Sequence, residues 1–203
     1  GPGKAIRPLE RRAPDAVAIE GGPVTALPDA SWVFAYGSLM WNPGFPFTEQ
    51  QPAQLIGYHR AFCMYSHHHR GTRKTPGLVL GLDTGGQCPG LAFRVAPDDW
   101  PSTYTYLNER ELVGNYAYEP KVVEVMLATG PVSALTFVAN PDHPNYAGPL
   151  PIDTAVAVIL RASGIGGRNR DYLIELVRKL ESLGHHDPDL LYLLGRVKEV
   201  GGN

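Results

Sequence analysis

Glu111 is the residue whose position best suits acid–base chemistry. Trp100, Tyr104 and Leu107 line one side of a helix that the sequence pattern predicts over residues 100–112. At about 100° per residue, Glu111 falls in the middle of this apolar stripe. An ionised carboxylate that faces a core is unfavourable unless it is paired or used, and the raised pKa of such a group suits proton transfer near neutral pH.

The position of Glu111 on the helix leaves a second interpretation open. Its side chain lies close to the end of the predicted helix, where it can reach outward or form an ion pair with Arg94 or Arg110. Glu109 lies on the opposite side of the helix, where a solvated carboxylate belongs. The pattern therefore distinguishes Glu111 from Glu109, but it does not decide between catalysis and an ion pair.

The segment Tyr36-Gly37-Ser38-Leu39 is the second candidate, directly after an apolar strand predicted over residues 31–36. Glycine allows a tight turn, and consecutive free N–H groups in such a turn form a concavity that binds anions. A substrate carboxylate or a developing oxyanion would be stabilised there. A plain connection between a strand and a loop explains the same residues more simply.

The third candidate is Tyr146, in the loop that follows the last predicted strand. Prolines at 144 and 149 and a glycine at 148 constrain this loop. A tyrosine held in this way can present its hydroxyl at the wall of a cleft, or it can be a packed loop aromatic. The sequence alone favours the second of these roles.

Other conspicuous groups predict no metal or cofactor site. His67–His69 alternate between the two faces of an extended segment, so they are not expected to share one ion. The glycine-rich segment 164–168 lacks a phosphate-binding lysine and follows a predicted helix, which indicates a turn between helices. Cys63 and Cys88 are too few for a disulfide framework and are expected to be reduced, packed thiols.

The predicted elements must bring these candidates together in an α+β domain. Short apolar runs bounded by turn residues predict strands over residues 31–36, 54–65, 77–83, 90–95, 121–127 and 132–139. Helices are predicted over 100–112, from a cap at Asp153 to Gly164, from Asn169 or Asp171 to just before Gly184, and from Asp187-Pro188 onward. Strands, one inserted helix and then C-terminal helices favour a small curled mixed sheet or barrel.

Composition limits the class of protein. The net charge of -2 argues against a nucleic-acid partner, because phosphate binding needs clustered Lys and Arg. No apolar run approaches the ~20 residues of a membrane span, and no secretory signal is evident, so we expect no membrane partner and a cytoplasmic location. Residues 1–29 are expected to hold the remnant of a tag, Gly1-Pro2-Gly3, and a mobile arm, and residues 30–203 a single domain.

The candidate segments occur in an order that resembles the ChaC family of γ-glutamylcyclotransferases. The resemblance covers nearly everything from residue 32 to residue 198. Its segments are Phe34-Ala35-Tyr36-Gly37-Ser38-Leu39 with Trp41 and Pro43, Gly57-Tyr58 with Arg60, Arg70-Gly71, Pro76-Gly77-Leu78-Val79, Tyr106-Leu107-Asn108-Glu109-Arg110-Glu111, Asn145-Tyr146-Ala147-Gly148-Pro149 and Arg168-Asn169-Arg170-Asp171-Tyr172-Leu173.

This resemblance implies a fold, an activity and a site. It implies the cyclotransferase barrel and the conversion of glutathione, a small-molecule substrate, to 5-oxoproline and Cys-Gly, without metal or cofactor. It also implies that Glu111 is the acid–base residue and that Tyr146 is a secondary pocket residue. The γ-glutamyl pocket would be lined by Phe34, Ala35, Tyr36, Gly37, Ser38 and Leu39.

Two alternatives to this function remain. The first is the same fold acting on another γ-glutamyl amine or amino acid. The second is a non-catalytic module that binds a metabolite and has lost the chemistry. The presence of Glu111 argues against the second alternative, and a product assay separates all three.

Overall fold

The computed structural model describes residues 27–112 and 116–203. The predicted N-terminal arm lies outside these residues except for its last three. In chain order the elements are β1 (Trp32–Ala35), a 3-10 turn (Ser38–Met40), β2 (Glu49–Ser66), β3 (Gly77–Arg94), a second 3-10 turn (Pro97–Asp99), α1 (Trp100–Leu112), β4 (Tyr118–Leu127), β5 (Gly130–Ala139), α2 (Ile152–Arg161), β6 (Ser163–Gly164), β7 (Gly167–Arg168), α3 (Asn169–Ser182) and α4 (Pro188–Gly201).

Five strands form a closed barrel in the order β1-β3-β2-β4-β5. β1 runs parallel to β5, which closes the barrel, and the other neighbours are antiparallel. Helices α2 and α3 contact β3, and α4 contacts β2. All four residues of β1 are buried, as expected of a short strand inside a closed sheet with helices nearby. The predicted α+β barrel is therefore confirmed.

The largest error in the predicted elements concerns β3. The sequence predicts separate strands over residues 77–83 and 90–95, because turn-forming residues bound each apolar run. They belong to one strand that pairs with β2 along almost its whole length. Gly85 and Gly86 have φ values of 102° and 68°, and the register shifts opposite them, beside Gly57. The glycines therefore accommodate a bulge in a continuous ladder and not a chain reversal.

The helices follow the prediction closely. α1 has the predicted bounds, and α4 begins at the predicted cap, where the Asp187 side chain accepts a hydrogen bond from the N–H of Leu190 at 3.1 Å. α2 begins at Ile152, before the predicted cap Asp153. It ends at Arg161, short of the predicted end at Gly164, which lies in β6. The glycine-rich segment after α2 forms the short hairpin β6–β7, and so it is a turn between helices, as expected. In the described parts of the chain, no helix is both long and apolar enough to span a membrane.

Candidate active site

A cavity of about 320 Å³ lies where the turn after β1, the last turn of α1 and helix α3 meet the barrel. Most of its wall is apolar, and the few polar groups come from different elements. Such a cavity excludes part of the bulk water and strengthens the electrostatic interactions inside it. The apolar wall consists of Phe34, Leu39, Trp41, Leu80, Phe137 and Leu176.

The turn after β1 supplies one side of the cavity. Gly37, Ser38 and Leu39 all line it, and the chain then closes a short 3-10 turn in which the N–H of Met40 bonds to the carbonyl of Gly37 at 2.9 Å. A Cβ atom at Gly37 would lie 3.1 Å from Cδ2 of Leu80, closer than side chains normally pack. The glycine therefore lets the backbone of the turn approach both the barrel and the cavity.

Arg60 holds the backbone of the residue that follows β1. Its side chain is completely buried, with Nε donating to the carbonyl of Tyr36 at 2.7 Å and Nη2 to the carbonyl of Pro89 at 2.6 Å. Its Nη1 lies 3.5 Å from the carboxylate of Asp187, which caps α4. A buried guanidinium needs such partners to offset the cost of its desolvation. Because one partner is the carbonyl of Tyr36, Arg60 also orients the residue that leads into the turn.

Glu111 also lines the cavity, from the last turn of α1. Trp100 and Leu107 of the predicted stripe are buried, Glu111 is half-buried at the cavity wall, and Glu109 is exposed. No hydrogen bond to the Glu111 carboxylate occurs within residues 27–112 and 116–203. Burial raises the pKa of Glu111 to about 7, and the neighbouring charge of Arg110 lowers it. Near neutral pH such a carboxyl group can both accept and release a proton.

Among the described residues, neither Arg94 nor Arg110 forms an ion pair with Glu111. Arg94 pairs instead with Glu49, at 3.7 Å. The guanidinium of Arg110 donates to the carbonyl of Asn42 at 2.6 Å and to the hydroxyl of Ser38 at 2.9 Å. The Glu111 carboxylate therefore remains available to a ligand in the cavity.

Three tyrosines also line the cavity, and each has a fixed partner. Tyr36 donates to the carbonyl of Phe137 at 2.8 Å, and Tyr118 donates to the carbonyl of Leu80 at 2.5 Å. The hydroxyl of Tyr172 accepts a hydrogen bond from the N–H of Leu80 at 3.1 Å. Burial raises the pKa of all three, so they are neutral groups that shape the wall.

A second group of polar side chains, His69, Arg70 and Glu175, lines the same cavity. The Arg70 guanidinium lies 5.4 Å from the centre of the Tyr172 ring, and its Nη1 donates to the carbonyl of Arg168 at 3.3 Å. Burial and the charge of Arg70 lower the pKa of His69, which favours the neutral ring. These three residues add polar groups to the lining of the cavity.

Six of the eight predicted site residues line the cavity: Phe34, Tyr36, Gly37, Ser38, Leu39 and Glu111. Ala35 is fully buried within β1 and does not reach the cavity. Tyr146 is also absent from the cavity wall, and its hydroxyl donates to both oxygens of Asp83, at 2.8 and 3.0 Å.

Sequence reasoning did not select Tyr118, Thr136, Tyr172 or Glu175 as site residues, although all four line the cavity. Thr136 and Tyr118 come from β5 and β4, and the other two from α3. Tyr172 stands in one of the segments that carry the ChaC resemblance, and that was the available signal for it. Tyr118, Thr136 and Glu175 had no such signal, because nothing in their local sequence indicates whether they face the cavity.

The fold places the chain in the class of γ-glutamyl cyclotransferase barrels. The crystal structure described as "gama glutamyl cyclotransferease specific to glutathione from yeast", in its selenomethionine form, superposes with a TM-score of 0.71 at 25% identity. The superposition covers 83% of this chain and 95% of that chain. Within this class, the model of the ChaC-like protein family matches residues 31–200, and the chain belongs to that family.

Two relatives illustrate the similarity. The "Glutathione-specific gamma-glutamylcyclotransferase" of Escherichia coli K12 is 38% identical over 170 residues, which is 83% of this chain and 73% of the relative. The human "Glutathione-specific gamma-glutamylcyclotransferase 1" is 35% identical over 167 residues, which is 80% of this chain and 75% of the relative. The similarity therefore spans bacterial and animal members.

Proposed function

We propose that this protein is a γ-glutamylcyclotransferase that converts glutathione to 5-oxoproline and Cys-Gly. The observation that carries the proposal is the half-buried Glu111 carboxylate, which shares a cavity with the Gly37–Leu39 turn and has no hydrogen bond from the described residues. The relatives named for glutathione-specific activity support the choice of substrate.

The reaction requires few groups from the protein, because the substrate supplies its own nucleophile. In a γ-glutamyl peptide the α-amine and the γ-carbonyl belong to the same residue. Attack of the amine nitrogen on the carbonyl carbon closes a five-membered ring, and the bond to the cysteinyl nitrogen then breaks. The protein folds the glutamyl arm so that these atoms meet, and a well-oriented intramolecular reaction gains about 7–11 kcal/mol in this way.

Glu111 moves the protons in this scheme. The ionised carboxylate removes a proton from the substrate ammonium, which makes the amine nucleophilic. The resulting carboxylic acid then returns this proton to the departing nitrogen of Cys-Gly. The second proton, which the ring nitrogen loses after attack, passes to the released amine, so that the Glu111 carboxylate is regenerated. A pKa of about 7 makes both forms accessible near neutral pH, which is the condition for efficient transfer in both directions.

The turn binds an anionic part of the substrate. The backbone of Gly37–Leu39 borders the cavity, where its N–H groups hold either the α-carboxylate or the oxyanion of the tetrahedral intermediate. Tyr146 lies outside the cavity wall, and its role as a secondary pocket residue stays a prediction. Cys63 and Cys88 are free and buried, in keeping with the cytoplasmic location that we propose.

Incubation of the protein with reduced glutathione, followed by mass spectrometry, tests this function. We expect 5-oxoproline and Cys-Gly in equal amounts, without added metal or nucleotide and with no inhibition by EDTA. If glutathione persists while γ-glutamyl-alanine or γ-glutamyl-lysine is consumed, the enzyme has another γ-glutamyl substrate. If none of the three is consumed, the protein is a binding module and the proposal is wrong.

A further inference from the structure

The guanidinium of Arg110 joins the two sides of the candidate site. Nη1 donates to the carbonyl of Asn42 at 2.6 Å, with a longer contact to the carbonyl of Pro43 at 3.4 Å, and Nη2 donates to the hydroxyl of Ser38 at 2.9 Å. Nη1 also donates to the Tyr106 hydroxyl at 2.9 Å, one helical turn earlier on α1. One planar group thus binds the segment that follows β1 and the helix that carries Glu111.

The hydroxyl of Tyr106 takes part in a second close contact. A Cβ atom at Gly44, whose φ is 72°, would overlap this hydroxyl at 2.1 Å. The segment 38–44 is the stretch after β1 that contains Ser38, Asn42 and Pro43. Its end is therefore packed directly on α1, at a place where only glycine fits. Arg110 and this contact together hold the segment at two points along the same helix.

We propose that Arg110 is a positioning residue that sets the separation between the Gly37–Leu39 turn and the Glu111 carboxylate. The inference rests on the proposed function of that site and assigns to Arg110 no contact with substrate. A planar fork with several donors suits this role better than an ammonium group, because it holds two acceptors in fixed directions. Loss of the fork lets the turn move relative to the carboxylate, and small displacements of reacting groups reduce rates strongly.

The charge of Arg110 can be tested separately from its hydrogen bonds, because it affects the pKa of Glu111. It favours the ionised form of Glu111 and opposes the effect of burial on the pKa. The other polar groups that line the cavity are Tyr36 and Ser38 from the segment after β1, Tyr118 from β4, Thr136 from β5, Tyr172 and Glu175 from α3, and the pair His69 and Arg70. Arg110 is the charged neighbour that shifts the pKa of Glu111. Removal of its charge therefore raises that pKa, whereas a lysine at this position preserves the charge.

Two variants separate the fork from the charge. Arg110→Lys keeps the charge and loses the planar fork, and Arg110→Gln loses both. We expect both to lower kcat with glutathione by about 10-fold to 100-fold. Only Arg110→Gln is expected to move the rising limb of the kcat/KM–pH profile to higher pH. The matched control is Arg196→Gln, which removes an arginine of α4 that bonds to Asp153 and Glu199.

NMR titration of the Glu111 carboxyl group in wild type and in both variants supplies a readout that needs no turnover. A higher pKa in Arg110→Gln but not in Arg110→Lys, with loss of kcat in both, supports the proposal. If both variants only melt at lower temperature while kcat and the titration are unchanged, Arg110 is a structural fastener and the inference is wrong. If wild type turns over no γ-glutamyl compound, the proposed function fails. In that case the inference about Arg110 is still tested, because an unchanged Glu111 pKa in Arg110→Gln overturns it.

Discussion

Two carboxylates of the barrel differ in what surrounds them. Asp83 in β3 is buried, and it accepts hydrogen bonds from the Tyr146 hydroxyl at 2.8 and 3.0 Å and from the N–H of Thr84 at 3.1 Å. Glu111 at the end of α1 borders a cavity and accepts no hydrogen bond from the part of the chain that the structure describes. One carboxylate has its partners supplied by the protein, and the other can receive them from a ligand.

The difference gives the same chemical group two different environments in one fold. A buried carboxylate with its hydrogen-bond partners in place fixes local structure, because each bond depends on the position of its donor. A desolvated carboxylate without such partners has a raised pKa and exchanges protons near neutral pH. Hydrogen bonding, more than burial, thus separates the structural acid from the candidate catalytic one.

The largest effect is expected from Glu111→Gln. The amide keeps the shape of the side chain but cannot cycle a proton, so turnover of glutathione should fall by at least about 10²-fold. Glu111→Gln should still bind 5-oxoproline, and calorimetry measures this binding. Glu109→Gln is the control, because Glu109 is exposed on the same helix. Equal activity of the two variants, or unfolding of Glu111→Gln, would mean that Glu111 is structural.

The same substitution should change how stability depends on pH. The pKa of Glu111 is raised from 4.5 to about 7 in the folded protein. The folded state therefore binds this proton more tightly than the unfolded state does. That stabilisation is complete at low pH and is lost as pH rises through about 7.

Glu111→Gln should therefore match wild type near pH 4.5 and exceed it at pH 8. The expected gain is on the order of 2 kcal/mol, less than the whole shift implies because the carboxylate borders the cavity. Urea unfolding at both pH values measures the difference. A gain of the same size at both would contradict the raised pKa.

Asp83→Asn is the counterpart on the structural side. It places an NH₂ group where the protein offers donors, so we expect a loss of about 2 kcal/mol in the free energy of unfolding. The kcat of the folded protein should stay within about twofold of wild type, since Asp83 does not line the cavity. Asp142→Asn, at an exposed position, is the control. A 100-fold loss of kcat without loss of stability would remove the distinction between the two carboxylates.

Tyr146→Phe should have the smallest effect. It removes the hydroxyl that donates to Asp83 and should cost about 1 kcal/mol of stability. Combined with Asp83→Asn, the loss should be less than the sum of the two, because both variants disturb the same bond. The KM for glutathione decides the predicted pocket role of Tyr146: a clear rise supports it, and an unchanged KM assigns the residue to Asp83 alone.

Much of this molecule could be predicted from local sequence. The spacing of Trp100, Tyr104 and Leu107 predicted the face of α1 on which the Glu111 carboxylate lies. Asp187-Pro188 predicted the start of α4. The ordered motifs predicted the family and the barrel, which the family model and the solved structures confirm. These features depend on residues within a few positions of one another, or on the order of short motifs along the sequence.

Only the tertiary structure decided which distant side chains meet. It joined two predicted strands into β3, since Gly85 and Gly86 adopt a bulge whose pairing with β2 no local pattern specifies. It placed Tyr118 and Tyr172 at the cavity and Tyr146 on Asp83. The sequence of a strand shows which residues share a face, but not which of the two faces other parts of the chain will cover. That choice is made when barrel closure brings groups up to about a hundred residues apart into contact, as in the bond from Tyr36 to the carbonyl of Phe137.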